Sequence, residues 1–125
     1  MTADKDQLGR WGEKQAVRFL KKHGYRVLGR NVASGVGEID VVARDGDEVV
    51  FVEVKTRTDE DFGGPLLAVD RAKRRKLVQL ARTWLARHRL DEVACRFDVV
   101  GVTFLDEKKH PDIELVKNAF TLRDV

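Results

Sequence analysis

Leu8, Gly12, Ala16, Phe19 and Leu20 recur every three or four residues, the spacing that lines one side of an α-helix. An amphipathic helix is therefore predicted from Thr2 or Asp4 to His23, stopped by Gly24. Tyr25 to Arg30 reads as a first strand, followed by the loop Ala33-Ser34-Gly35-Val36-Gly37. Glu38 to Arg44 and Glu48 to Arg57 are β-rich runs joined by Asp45-Gly46-Asp47, the composition of a β-hairpin with a tight turn. Thr58 to Gly64 reads as a polar loop, and Pro65 to Val69 leads into a second helix from the N-cap Asp70 to His88, with Leu77, Leu80, Ala81, Trp84 and Leu85 as its apolar stripe. Ala94 to Phe104 is predicted as a strand, Asp106 to Pro111 as a turn, and Ile113 to Phe120 as a shorter strand.

The order is helix, three strands, helix, two strands. A hairpin strand followed by a long helix and another strong strand makes a crossover, so part of the sheet should be parallel. The fold class is α/β with a mixed central sheet flanked by helices. A chain of 125 residues can bury one adequate core and hardly two, so residues 1–125 are expected to form a single domain.

The pattern contains no apolar run near the ~20 residues of a spanning helix. Its amino terminus, polar and mixed in charge, lacks the apolar stretch of a secretory signal, so no membrane role and a cytoplasmic location are expected. Cys95 is the only cysteine, which excludes an intramolecular disulfide and a cysteine-based zinc cage. Net charge is +3, but its distribution is uneven. Arg71 to Arg89 holds eight Lys or Arg and no carboxylate, whereas Glu38 to Asp61 holds nine carboxylates against three basic residues. A basic helix beside an acidic strand pair suits a protein that grips a polyanion and keeps carboxylates for a metal; the bland alternative is a solvated helix face.

On the hairpin, alternation puts Glu38 and Asp40 on one face and Ile39, Val41 and Ala43 on the other. Glu53, Lys55 and Arg57 alternate in the same way with Val52, Val54 and Thr56. If register brings the polar faces together, Asp40 and Glu53 form a carboxylate pair that repels unless protonated or bridged by a cation. Oxygen-only ligands point to Mg²⁺ or Mn²⁺ engaging a phosphate, with Lys55 in reach of the attacking water. The alternative is a solvated sheet face with cross-strand pairs worth about 0.2–1 kcal/mol each. Glu13 stands roughly 20° from Leu20 and 40° from Val17 around its helix, at the border of the apolar arc, where it can lean toward the sheet or pair with a neighbour. Lys73, four residues before Leu77, points inward and needs an anion, either a site carboxylate or a substrate phosphate. Arg57, Arg74, Arg75 and Lys76 are candidate nucleic-acid contacts with Lys73. No histidine has ligand spacing, and no serine or cysteine nucleophile arrangement is visible.

Gly37-Glu38-Ile39-Asp40-Val41-Val42 followed by Phe51-Val52-Glu53-Val54-Lys55-Thr56-Arg57 resembles the PD-(D/E)xK nuclease superfamily, in particular the branch with archaeal Holliday-junction resolvases. Gly12-Glu13, Arg30-Asn31 and Arg96-Phe97-Asp98-Val99-Val100 add landmarks of the YraN-like family, so that the resemblance runs from about Leu8 to Phe120. Ile39 stands where the superfamily often has proline. The resemblance implies a restriction-endonuclease-like αβββαβ core, Asp40 and Glu53 as metal ligands, Lys55 activating water and Glu13 as an acidic partner from the first helix. It also implies cleavage of branched or structured DNA to a 5′-phosphate and a 3′-hydroxyl, by a dimer with two sites across a four-way junction. Two other readings stay open: a non-cleaving module on the same scaffold that binds DNA and recruits processing partners, and a purely protein-binding domain.

Overall fold

In the computed structural model, which describes residues 5–58, 69–104 and 111–122, the chain runs α1 (Lys5–Lys22), β1 (Arg26–Ser34), β2 (Gly37–Asp45), β3 (Glu48–Thr58), α2 (Arg71–Arg87), β4 (Cys95–Phe104) and β5 (Asp112–Phe120). The strands form one sheet in the order β1-β2-β3-β4-β5. β3 and β4 are parallel and every other neighbouring pair is antiparallel, so the α2 crossover makes the mixed sheet that the element order predicts. Among the described residues, no helix is long and apolar enough to cross a membrane. The expected loop and lead-in between Thr58 and Val69, the turn before Pro111 and the first residues of the expected first helix lie outside the described residues.

Successive residues of the central strands enter different cores. Phe51 of β3 joins Ile39, Val42, Leu77, Leu80, Ala81, Trp84, Leu85 and Phe97 beneath α2. Val50, Val52 and Val54 join Ala16, Val17, Leu20, Val41, Val100 and Val102 beneath α1. A sheet covered on both sides needs strands that are apolar nearly throughout, and the burial of β3 and β4 follows that rule. The predicted α2 stripe is buried as expected, and Asp70 caps the helix by accepting a hydrogen bond from the Lys73 backbone N–H at 2.8 Å.

β1 is longer than its hydrophobic pattern predicts. Ala33, Ser34 and Gly37 belong to strands, and only Gly35 and Val36 form the turn. As an edge strand β1 is merely half-buried on alternate residues, and the polar Arg30-Asn31 pair interrupts its apolar run. Between β2 and β3 the Asp45↔Glu48 pair closes on Gly46 and Asp47, with Gly46 supplying the positive φ (60°) of the tight turn.

At that end of the sheet Arg96 joins several strands. Its guanidinium donates to Asp45 Oδ2 at 2.7 Å, Glu48 Oε1 at 2.9 Å and Asp98 Oδ1 at 3.0 Å. Asp98, 1% exposed, also accepts from the Tyr25 hydroxyl and from the backbone N–H of Asn118 on β5. Every strand, or the residue leading into it, thereby contributes to one satisfied polar network.

α1 lies close to β3 because residue 12 has no side chain: a Cβ on Gly12 would collide with Thr56. Gly12→Ala gains about 0.8–1 kcal/mol of helix propensity, yet the collision should cost about 1–3 kcal/mol, for a net loss of stability. Gly9→Ala, where no described residue lies within 4 Å of the added Cβ, should instead stabilise. Urea unfolding of the two variants checks the pair, and Thr56→Ala should recover part of the Gly12→Ala loss.

Candidate active site

The β2–β3 ladder runs from Asp45↔Glu48 to Val41↔Val52 and stops. Beyond that point β2 stays paired to β1 as far as Ser34↔Gly37, while β3 stays paired to β4 as far as Thr58↔Phe104. The sheet therefore forks, with Asp40 the first unpaired residue on one prong and Glu53 the first on the other. The fork leaves the backbone N–H of Val54 without a ladder partner, and Asp40 Oδ2 accepts it at 2.8 Å.

The fork also breaks the alternation that the sequence predicts. Ile39 packs beneath α2, whereas Val41 and Ala43 pack beneath α1, so these three residues do not share a face. The pleat changes phase at Asp40. On β1 the matching position is Asn31, between the Arg30↔Val41 and Val32↔Ile39 pairs, and it takes the left-handed conformation (φ 48°) that asparagine tolerates better than most residues. Strand-periodicity arguments assume a continuous ladder, and here it ends.

The structure brings Asp40, Glu53 and Glu13 together. The Asp40 and Glu53 carboxyls are close enough to share a hydrogen bond. Burial first, then that bond and the Glu53 charge, push the Asp40 carboxyl up to about 9, against the Val54 N–H that favours its ionised form. Glu53 is 4% exposed. Its Oε2 lies 3.1 Å from Lys73 Nζ, yet it receives no hydrogen bond of good geometry from any described residue. Half-buried Glu13 reaches over from α1; burial and the charge of Glu38 raise its pKa, while Arg30 and a hydrogen bond with Asn31 act the other way. Glu13 Oε1 is buried with no hydrogen-bond partner among the described residues. Among the described residues no three His, Cys, Asp or Glu side chains close into a ready-made metal cage.

Lys55 follows Glu53 by two residues on β3 and is half-buried beside Glu13, lining with Arg57 an open depression of about 390 Å³. The ion pair to Glu53 comes from Lys73 of α2 and not from Lys55. Of the two anions considered for Lys73, the site carboxylate is thus the one it meets. Arg57 donates to Thr103 Oγ1 at 3.4 Å. Arg74 does not stand free: its Nε donates to Val69 O at 3.0 Å and its guanidinium lies 5.5 Å from the Phe120 ring centre, both within the α2 side of the core. Arg75 and Lys76 are exposed, with Lys76 near the position of Gly37. Arg30 and Asn31 stand out along the chain as a polar pair interrupting a strand and as a landmark of the family resemblance, but neither signal assigns them chemistry. His23 and His88 bond carbonyls one turn back at the ends of their helices, consistent with a capping role.

Topology and site define an α/β protein of αβββαβ order with one further edge strand, whose sheet forks around a buried carboxylate pair. The chain belongs to the family described as "Uncharacterised protein family UPF0102", whose model matches residues 12–102, and this is the YraN-like family that its motifs resemble. It is 47% identical over 122 residues to a UPF0102 protein of Geobacter metallireducens, covering 98% of each chain. It is 46% identical over 119 residues to one of Geotalea daltonii, covering 95% of this chain and 93% of that one. Among solved structures, an EndoMS–dsDNA complex aligns with a TM-score of 0.42 and 23% identity over 77% of this chain and 37% of that one, so this chain spans little over a third of that protein. At that TM-score the likeness adds nothing to the topology described above.

Because the folded protein holds the Asp40 proton more tightly than the unfolded chain, whose value is near 3.8, the linked stability is full below that pH and is lost as pH rises through about 9. Chelator-treated protein should therefore show a thermal midpoint that falls between about pH 5 and pH 9. Asp40→Asn should flatten that fall, as differential scanning calorimetry across the range would show.

Proposed function

We propose that this chain is a divalent-metal-dependent endonuclease that hydrolyses phosphodiesters in branched or structured DNA. The observation that carries the reading is the meeting of the Asp40 and Glu53 carboxyls in the fork, where burial and mutual repulsion favour taking up either a proton or a cation. The donor set fits a hard cation: both side chains offer only oxygen, and Glu53 Oε2 is buried without a hydrogen bond from the described residues. Mg²⁺ in particular is commonly held by one or two carboxylates, with water and substrate phosphate completing its shell, so a three-sided cage is not required.

Asp40 and Glu53 would hold the ion. When bound, Mg²⁺ or Mn²⁺ supplies charge neutralisation at the phosphate and makes water more acidic. Lys55, on the same strand face as Glu53, would orient the attacking water toward phosphorus. Glu13, with its raised pKa and an unpartnered oxygen, can hold or pass a proton at the edge of the same site. Lys73 would serve as the internal counter-ion of Glu53 while no metal is present. A divalent ion held by Glu53 would share that carboxylate with the Lys73 ammonium, which could then turn to a phosphate oxygen instead.

Purified protein should cut a four-way junction or flap with Mg²⁺ or Mn²⁺. Asp40→Ala or Glu53→Ala should lower the rate by on the order of 10² to 10³ or more with the far-ultraviolet circular dichroism unchanged. Cutting that survives both changes removes the assignment, and DNA binding without cutting under any divalent ion selects the non-cleaving module instead. Independently of activity, Lys73→Gln should tighten Mn²⁺ binding in calorimetric titration by roughly thirtyfold or more, since a unit and a double positive charge about 4 Å apart repel by about 2 kcal/mol even at the dielectric of water. Lys76→Gln should change it little, and equal affinities for Lys73→Gln and wild type would show that the ammonium does not compete.

A further inference from the structure

We infer that the nucleic-acid strand reaches the fork across α1 and β1, with Arg10, Lys14 and Arg30 as its backbone contacts, and not along the more densely basic α2. This rests on the nucleic-acid half of the proposed function and specifies the surface involved.

α1 carries five exposed basic residues, Arg10, Lys14, Arg18, Lys21 and Lys22. At about 100° per residue they fall within an arc of roughly 120°, and Glu13 stands about 60° outside it. The stripe thus runs along the solvent side of the helix and begins beside the acidic site. Its described acidic residues are Asp6 near the start and Glu13 itself. A solvated basic stripe by itself would say little. Here, however, Arg10 and Lys14 line a depression of about 410 Å³ together with Arg30, Asn31 and Glu13. Glu13 also lines the depression of Lys55 and Arg57 on its other side. A polyanion lying in the first depression therefore leads over Glu13 into the fork, with cations before and after the carboxylates that would otherwise repel it.

The cations of α2 are placed differently. While no metal is present Lys73 is paired with Glu53, and Arg74 is tied to Val69 O and the Phe120 ring. Arg75 and Arg82 border a shallow hollow with Val78, Gln79 and Thr83, none of which lines the depressions beside the fork. Charge density along the chain favours α2, but Lys73 is held in its ion pair with Glu53 and no described α2 cation lines the depressions on either side of Glu13, whereas Arg10 and Lys14 of α1 line one of them.

The test compares two charge-matched triple variants, Arg10→Gln/Lys14→Gln/Arg30→Gln and Arg71→Gln/Arg75→Gln/Arg82→Gln. Binding of a fluorescein-labelled four-way junction is followed by anisotropy in EDTA over a range of salt concentrations. Each lost phosphate contact lowers the slope of log K against log salt by about 0.9. The first variant should therefore lose roughly 2–3 units of slope, and the second should match wild type. Loss confined to the second variant, equal loss in both, loss in neither, or a wild type that binds no junction each overturns the inference. Acylation of the unaltered protein provides a measurement free of folding effects: bound junction should protect Lys14 and leave reactive Lys117, which lies on β5 beside Asp45 at the Arg96 end of the sheet and is 58% exposed, and an unprotected Lys14 counts against the α1 path. Failures remain distinguishable, since a protein that binds through α1 and never cuts loses the nuclease reading and keeps this surface. An α1 variant that cuts and binds normally does the reverse.

Discussion

The parting of β2 from β3 depends on one hydrogen bond, from the backbone N–H of Val54 to the side chain of Asp40. Where an antiparallel ladder ends inside a sheet, the first orphaned amide must find a partner or be left at a cost of about 1–3 kcal/mol. Asp40 supplies that partner and is held by it at the root of the fork, facing Glu53. The same bond that lets the strands separate thus aims one carboxyl at the other. Neither prong is left loose, because β2 continues along β1 and β3 continues along β4. Helix α1 comes close enough to bring Glu13 in only because Gly12 lies against Thr56, and α2 brings Lys73 from the opposite face.

The two ends of the sheet treat charge in opposite ways. Around Arg96, one guanidinium meets three carboxylates, and buried Asp98 has its oxygens matched by Arg96, the Tyr25 hydroxyl and the Asn118 amide. A buried charge paired in this manner holds a fold in register, and removing one partner is expensive. Around Asp40 the carboxylates outnumber their partners among the described residues, and two oxygens there, on Glu13 and Glu53, are buried without hydrogen bonds. Under-compensated buried carboxylates are uncommon in protein interiors and concentrate where a ligand completes the set. One end clamps the sheet, so the other can remain open with its charge unbalanced.

Much of this was legible along the chain. The β2–β3 hairpin, the α2 stripe, the N-cap at Asp70 and the parallel crossover follow from periodicity and turn chemistry, which act over a few residues. Alternation and the shared turn offered Asp40 and Glu53 to neighbouring strands, but register stayed open along the chain; the Asp45↔Glu48 closure, one residue tighter than the Asp45-Gly46-Asp47 turn expected, is what brings them level. The inward aim of Lys73 followed from its helical spacing, and the location of Glu13 from its place on the rim of the apolar arc.

What the sequence determined by itself was therefore the local order of elements and the residue types offered to each face, since those depend on neighbours a few positions apart. Only the tertiary structure decided where the ladder ends, that Ile39 and Val41 part to opposite cores, that Lys73 meets Glu53, that Arg74 is tied to Val69 and Phe120, and that Asn31 faces Glu13. Each of these is set by contacts between segments remote in the chain, and alternation cannot foresee the single residue at which a strand changes its pairing partner.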